Sequence, residues 1–265
     1  MARDELLVEV QSRIATITLN RPERRNSLSA SLLLSLPEAI NELADNGTTR
    51  CIVLKGAGDK AFCAGMDLRA LSEQMPDELL SQITAKGPLQ QAIEAMESCR
   101  LPLIAMISGY ALGAGLELTL GCDLRVGAEG CIMGMPPVRL GIVYAPEGLA
   151  RFIRNLGLGQ AKKLFLTSRY INGREAYEMG LLHYVMPDDQ VEKFTYELAE
   201  EIAGRAPLAV GGIKRSLQIL TRYSAPGEAE QAEMNGLIEQ AALSSDAREA
   251  LSAFNEKRKP DFKGT

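Results

Sequence analysis

Residues 108–118 read SGYALGAGLEL. The residues before them, 101–107, read LPLIAMI, an apolar run with strand character. A buried strand thus leads into Gly113, Ala114 and Gly115, nearly bare backbone, and then into a single carboxylate, Glu117. Glycine and alanine let a ligand approach the main chain. The first N–H groups of a helix have no internal partner and carry partial positive charge. Residues 61–68, AFCAGMDL, repeat the arrangement at a second strand-to-helix junction. Two such N–H groups converging from separate segments form an oxyanion hole, which stabilises an enolate or a tetrahedral intermediate. Glu117 follows Ala114 by three residues, about one helical turn, so its carboxylate can flank the same pocket. An acid beside an oxyanion hole suits proton transfer at the carbon next to a carbonyl. Either segment alone reads better as close helix-to-sheet packing and nothing more.

The same alternation extends outward in both directions. Residues 6–20 read as two strands around a polar turn at 11–13, and 30–46 have helical spacing with Ser29 or Ser31 as cap. Residues 49–58 form a buried strand ending in Gly56 and Gly58, and 87–99 a helix that stops before Pro102. Residues 113–122 form the next helix, and 122–136 hold two short strands around Gly127 and Gly130. Strands alternating with helices predict an α/β class with parallel pairing. From about Asn155 onward helices dominate, and the last, from about 228, is long, amphipathic and terminal. Such a helix needs a surface to pack on, often a neighbouring subunit. The chain divides at about residue 200 into a core, 1–200, and a helical region, 201–265, expected to mediate oligomerisation.

Composition excludes several classes. The chain has 265 residues, 46% hydrophobic and 24% charged, enough for a sizeable core without staples. A net charge of −5 argues against nucleic-acid binding. No apolar run reaches the length of a membrane span. Asp4 and Glu5 fall where a signal peptide needs an apolar stretch, so a cytoplasmic location is expected. Five cysteines without a CxxC pair suggest neither a disulfide framework nor a metal site. The one histidine, His183, reads as structural, since no G-x-S-x-G turn accompanies it. GAGLEL begins as G-x-G but lacks the third glycine and the later acid of a dinucleotide site, and no Walker motif occurs.

Together these segments resemble the crotonase superfamily, the enoyl-CoA hydratases and isomerases. LNRPERRNSLS (19–29), KAFCAGMDL (60–68), ISGYALGAGLELTLGCDLRV (107–126), MGMPPVRLGIVYAPEGLARF (133–152) and AFNEKRKPDF (253–262) carry the resemblance over nearly the whole chain. It implies a spiral of β-β-α turns followed by a C-terminal helical trimerisation region. It also implies a homotrimer or dimer of trimers, a coenzyme A thioester as substrate, and no cofactor beyond that coenzyme A. By position it implies an oxyanion hole from the N–H groups of Met66 and Ala114, with Glu117 as the first catalytic glutamate. It implies CoA contacts near Arg25, Leu28, Ala64, Asp67 and Leu68. The tail, with Phe254 and Lys257, would reach a CoA bound by the adjacent subunit.

One position departs from the pattern. The second glutamate of the hydratases falls on Pro137, which has no acid-base chemistry. Arg139 is a poor base because it stays protonated. Glu147, in YAPEG, is a possible substitute acid. The run MPPVRLGIVY is also similar to the methylmalonyl-CoA decarboxylase branch, which carries a tyrosine where this chain has Tyr144 and a histidine where it has Met66. Loss of CO2 from a malonyl-type thioester generates the enolate without a base, and a tyrosine hydroxyl would orient the departing carboxylate. Three functions stay open: a hydratase or isomerase using Glu117, a malonyl-type decarboxylase using Tyr144, and a CoA-thioester-binding protein with little turnover.

Overall fold

The computed structural model describes residues 5–67, 87–140 and 143–222, isolated positions between 228 and 258, and residues 260–265. Strands β1 (Leu6–Gln11) and β2 (Ile14–Leu19) form an antiparallel hairpin, followed after a short 3-10 turn by helix α1 (Ala30–Asp45). Ser29 caps α1 by accepting the Leu32 N–H at 3.1 Å. Leu32, Leu33, Leu36, Ile40 and Leu43 recur at helical spacing and are all buried. Each such leucine contributes roughly 1.5–3 kcal/mol by leaving water.

Three turns of a spiral then follow. Strands β3 (Cys51–Gly56), β5 (Leu103–Ile107) and β7 (Leu124–Ala128) enter one sheet. Their successors β4 (Ala61–Cys63), β6 (Tyr110–Leu112) and β8 (Ile132–Gly134) enter a second. Helices α2 (Pro88–Ser98), α3 (Ala114–Leu120) and α4 (Pro146–Thr167) close the three turns. Strands β9 (Ile171–Asn172) and β10 (Tyr184–Met186) complete the sheets, whose orders are β1-β2-β3-β5-β7-β10 and β4-β6-β8-β9. Apart from β1/β2 and β8/β9 the pairing is parallel. Helix α5 (Gly173–Glu178) precedes β10, while α6 (Val191–Ala203) lies across β3, β5 and β7, and α7 (Pro207–Arg222) follows. The α/β spiral expected from the sequence is therefore present.

All five residues of β5 are buried, as a parallel strand covered on both faces requires. Three details differ from the sequence reading. The strand read from the apolar run 101–107 is β5, and a second short strand, β6, follows it at Tyr110–Leu112 in a different sheet. Between them Gly109 adopts φ 62°, and a Cβ there would stand 2.2 Å from the Lys60 carbonyl oxygen. Only glycine lets the chain cross between the layers at that point. Residues 184–186, inside GLLHYVMP, pair with β7 as an edge strand too short to show a period. Helix α4 begins at Pro146, earlier than its apolar spacing indicates, because Gly157 (φ 74°, ψ 160°) breaks it in the middle. Most of the terminal helix expected from about 228 lies outside the described residues.

Candidate functional site

The two glycine-rich junctions meet. Gly65 sits at φ 100°, and a Cβ on it would lie 2.9 Å from the Leu112 carbonyl oxygen and 3.7 Å from the Ala114 nitrogen. A Cβ on Gly115 would lie 2.4 Å from the Cys63 carbonyl oxygen. The absence of side chains at 65 and 115 is what allows β4 and the start of α3 to approach so closely. The 64–67 segment is held from its other side by the turn after β2. Ala64 donates its N–H to Arg25 O at 3.0 Å, Leu28 N–H to Gly65 O at 2.8 Å, and Asp67 N–H to Leu28 O at 3.0 Å. Leu28 and Met66 thereby form a parallel bridge.

That pairing uses the Gly65 carbonyl and the Asp67 N–H, the Gly65 N–H turns to Cys63 Sγ at 3.4 Å, and the Met66 N–H makes no hydrogen bond among the described residues. Ala114 opens α3, and its N–H likewise makes no hydrogen bond among the described residues. Gly113, just before it, donates to Gly134 O at 2.9 Å, which fixes where the helix begins.

The N-terminal turn is itself tightly organised. Asn26, fully buried at φ 55°, donates to Ala57 O at 3.0 Å and Ala61 O at 2.7 Å. Arg21 donates to Ser27 O at 2.7 Å and to the Asp67 carboxylate at 2.8 Å, and pairs with Glu5 at 3.0 Å. The Asp67 carboxylate thus ties its segment to Arg21. Arg25 stacks its guanidinium over the Tyr110 ring at 5.4 Å, and the Leu28 side chain is buried in the core. Leu68, Phe254 and Lys257 lie outside the described residues.

Glu117 is 3% exposed, at the first turn of α3. Each oxygen receives a donor. The Tyr144 hydroxyl donates to Oε2 at 2.5 Å, and Arg151 Nη1 to Oε1 at 2.5 Å. Arg151, 2% exposed on α4, donates its Nε to Glu97 Oε1 of α2 at 2.8 Å and reaches Gln90 at 3.4 Å. A Cβ on Gly148 would stand 3.0 Å from Glu117 Oε1 and 2.6 Å from the Tyr144 ring, so α4 also needs a glycine to approach. Burial pushes the Glu117 carboxyl above its ordinary range. The Tyr144 hydrogen bond and the Arg151 charge oppose that rise, and Glu97 adds to it. Burial, with the Glu117 charge next to it, raises the Tyr144 phenol well above its usual value, so it stays a donor at neutral pH.

The other expected residues fall elsewhere. Pro137 is buried in a 3-10 turn, Pro137–Leu140. Arg139 turns away from Glu117, donating to Ser168 O and stacking on Tyr170 at 4.6 Å. His183 Nδ1 accepts the Arg125 backbone N–H at 3.0 Å, a structural bond. Glu147 stands at the first turn of α4, and its Oε2 is buried with no hydrogen-bond partner among the described residues. Among the described residues no cluster of His, Cys, Asp or Glu is arranged to hold a metal, and no helix is long and apolar enough to cross a membrane. Sequence reasoning missed Arg151, Glu97 and Gln90. The sequence carried no signal that separates Arg151 from Arg154, three positions on along the same helix.

The family model for enoyl-CoA hydratase/isomerase matches residues 9–265. The chain is 35% identical over 262 residues to the 2,3-dehydroadipyl-CoA hydratase of Escherichia coli, covering 98% of this chain and 99% of that protein. It is 31% identical over 254 residues to the methylmalonyl-CoA decarboxylase of the same organism, covering 96% and 95%. The crystal structure of enoyl-CoA hydratase from Bacillus anthracis superposes with a TM-score of 0.91 at 34% identity, covering 98% of this chain and all of that one.

Proposed function

Since the chain belongs to the enoyl-CoA hydratase/isomerase family and is an enzyme of that family, we propose that it hydrates or isomerises an enoyl-CoA thioester through an enolate. The thioester oxygen accepts the N–H groups of Met66 and Ala114. Charge grows on that oxygen as the enolate forms, so these donors act most strongly in the transition state. Removing one such donor typically costs about 2.7–4 kcal/mol of barrier lowering. Glu117 exchanges a proton with the carbon skeleton beside the thioester. Pro137 leaves the usual second carboxylate missing, and Glu147 substitutes for it. The observation that carries the reading is the close approach of Gly65 to the start of α3, where Met66 and Ala114 each keep an N–H without a hydrogen bond among the described residues and a buried Glu117 follows within a turn. The unpartnered buried oxygen of Glu147 supports its inclusion.

The CoA moiety runs along Arg25, Leu28, Ala64, Asp67 and Leu68. Residues 201–265 assemble the chain into a homotrimer or dimer of trimers, bringing Phe254 and Lys257 to a neighbouring CoA. A second reading, decarboxylation of a malonyl-type thioester, draws on the relative named for that reaction and on the Tyr144 hydroxyl in the Glu117 cluster. It is the weaker one, because it brings a second carboxyl group against Glu117 in a site that screens charge poorly.

The test is a panel of crotonyl-CoA, a 3-enoyl-CoA and methylmalonyl-CoA, followed by product mass, with Glu117→Gln alongside. Hydration or isomerisation is expected, falling about 10²–10⁴-fold in Glu117→Gln with thioester affinity retained. Turnover of methylmalonyl-CoA alone, or full turnover of enoyl substrates by the variant, would overturn the proposal.

A further inference from the structure

We propose that Arg151 is a positioning residue that keeps Glu117 ionised and aimed, and that Glu97 tunes it by competing for the same guanidinium. The inference rests on the reading of Glu117 as the acid-base group. Nothing in the family assignment requires it; the geometry does. Arg151 is among the largest fully buried side chains of the protein, which is costly for a permanently charged group unless its partners are close. Its partners are two carboxylates on two different helices. Nη1 meets Glu117 at 2.5 Å and Nε meets Glu97 at 2.8 Å. The Glu117 side chain is 4% exposed, that of Glu97 27%. One end of the chain of charges is therefore dry and the other wet.

The surroundings of Glu117 leave few other groups to set its charge. From α4 come Arg151, Arg154 and Glu147, with Arg154 reaching only Glu97, at 4.0 Å. From α2 come Glu97 and Gln90, and from the loop before α4 comes Tyr144. Strand β4 brings the Cys63 thiol against Gly115, and β6 brings Tyr110 beneath Arg25; neither bonds to Glu117. Burial favours the neutral acid, while Tyr144 and Arg151 favour the carboxylate. Tyr144 supplies a neutral donor and Arg151 a full charge in a dry place, so Arg151 is the stronger of the two. Glu97 draws part of that charge toward solvent.

Two substitutions should move Glu117 in opposite directions. Arg151→Met removes the counter-charge, so the acidic limb of the kcat/KM profile with an enoyl-CoA moves up by about one to three pH units. Arg151→Lys restores part of the limb's position, because the charge returns without the fork. Glu97→Gln leaves Glu117 as the one carboxylate on Arg151 among the described residues, so the limb moves down. Infrared titration of the Glu117 carboxyl band, assigned with Glu117→Gln, gives the same two directions without turnover. Limbs and bands that stay put in both Arg151→Met and Glu97→Gln would overturn the proposal, since a purely structural arginine lowers activity without moving either. Glu97 is partly exposed, so Glu97→Gln tests the idea even if Arg151→Met does not fold. A band that moves as expected in an enzyme whose Glu117→Gln variant keeps full turnover would sustain the positioning role and refute the acid-base reading instead.

Discussion

Helix α3 carries a carboxylate at each end, and the two are wired differently. Asp123, just past its C-terminus, accepts the Leu103 backbone N–H at 2.7 Å and Lys214 Nζ at 2.7 Å. Lys214 in turn donates to Leu101 O at 2.9 Å and Met96 O at 3.4 Å. Every partner is a backbone group or the anchor of α7, and the Asp123 side chain remains 31% exposed. Glu117, at the other end, is almost dry and, among the described residues, is held by the side chains of Tyr144 and Arg151. A carboxylate tied to backbone is a fastening. A buried one held by two side chains from a neighbouring segment keeps an adjustable charge, which is what proton transfer needs.

Removal of each cation should expose this difference. Arg151→Met strands Glu117 in a dry site and should cost roughly 3–5 kcal/mol of stability at neutral pH, measured by denaturant unfolding. Acidification should recover part of that loss, because a neutral Glu117 tolerates burial. An equal loss at pH 5 and pH 8 would break the comparison.

The start of α3 offers a second test. Gly115→Ala places a methyl against Cys63 backbone, 2.4 Å from its carbonyl oxygen, and must lift the helix start from β4. A cost of about 1–3 kcal/mol is expected. Turnover should fall more steeply than stability, because the Met66 and Ala114 N–H groups move apart while Asp123 stays anchored. Lys214→Met, at the fastened end, should cost about 1–2 kcal/mol and leave kcat/KM and its pH profile unchanged.

The smallest effect is expected at His183. Its ring is pushed down from 6.5 to about 4, first by burial and then by the Arg125 charge. The folded state refuses a proton that the unfolded chain accepts. Stability present above about pH 6.5 should therefore decline as pH falls toward 4. The residue as a whole is partly exposed, so solvent screens the effect. His183→Gln should flatten that window of the stability profile slightly and leave the Glu117 limb where it is.

Much of this was legible in the sequence because it rests on local rules. The apolar run 101–107, the Ser29 cap and the helix 88–98 follow from periodicity and punctuation. Gly65, Gly113, Ala114, Gly115 and Glu117 announced bare backbone next to an acid, and the structure brings the two junctions together as that pattern suggested. Strand β10 and the early start of α4 escaped notice for physical reasons. A three-residue edge strand has no measurable period, and Gly157 interrupts the helical spacing of α4.

The sequence by itself determined that the chain alternates strands with helices, that two junctions lack side chains, and that Pro137 cannot serve as an acid. Those properties belong to single residues and their near neighbours. Only the tertiary structure decided which charges Glu117 would meet. Arg151 lies 34 positions away from Glu117 and Glu97 lies 54 from Arg151. No local spacing couples them. Three helices of successive spiral turns converge there, and burial then forces each charge to find its partner within that space.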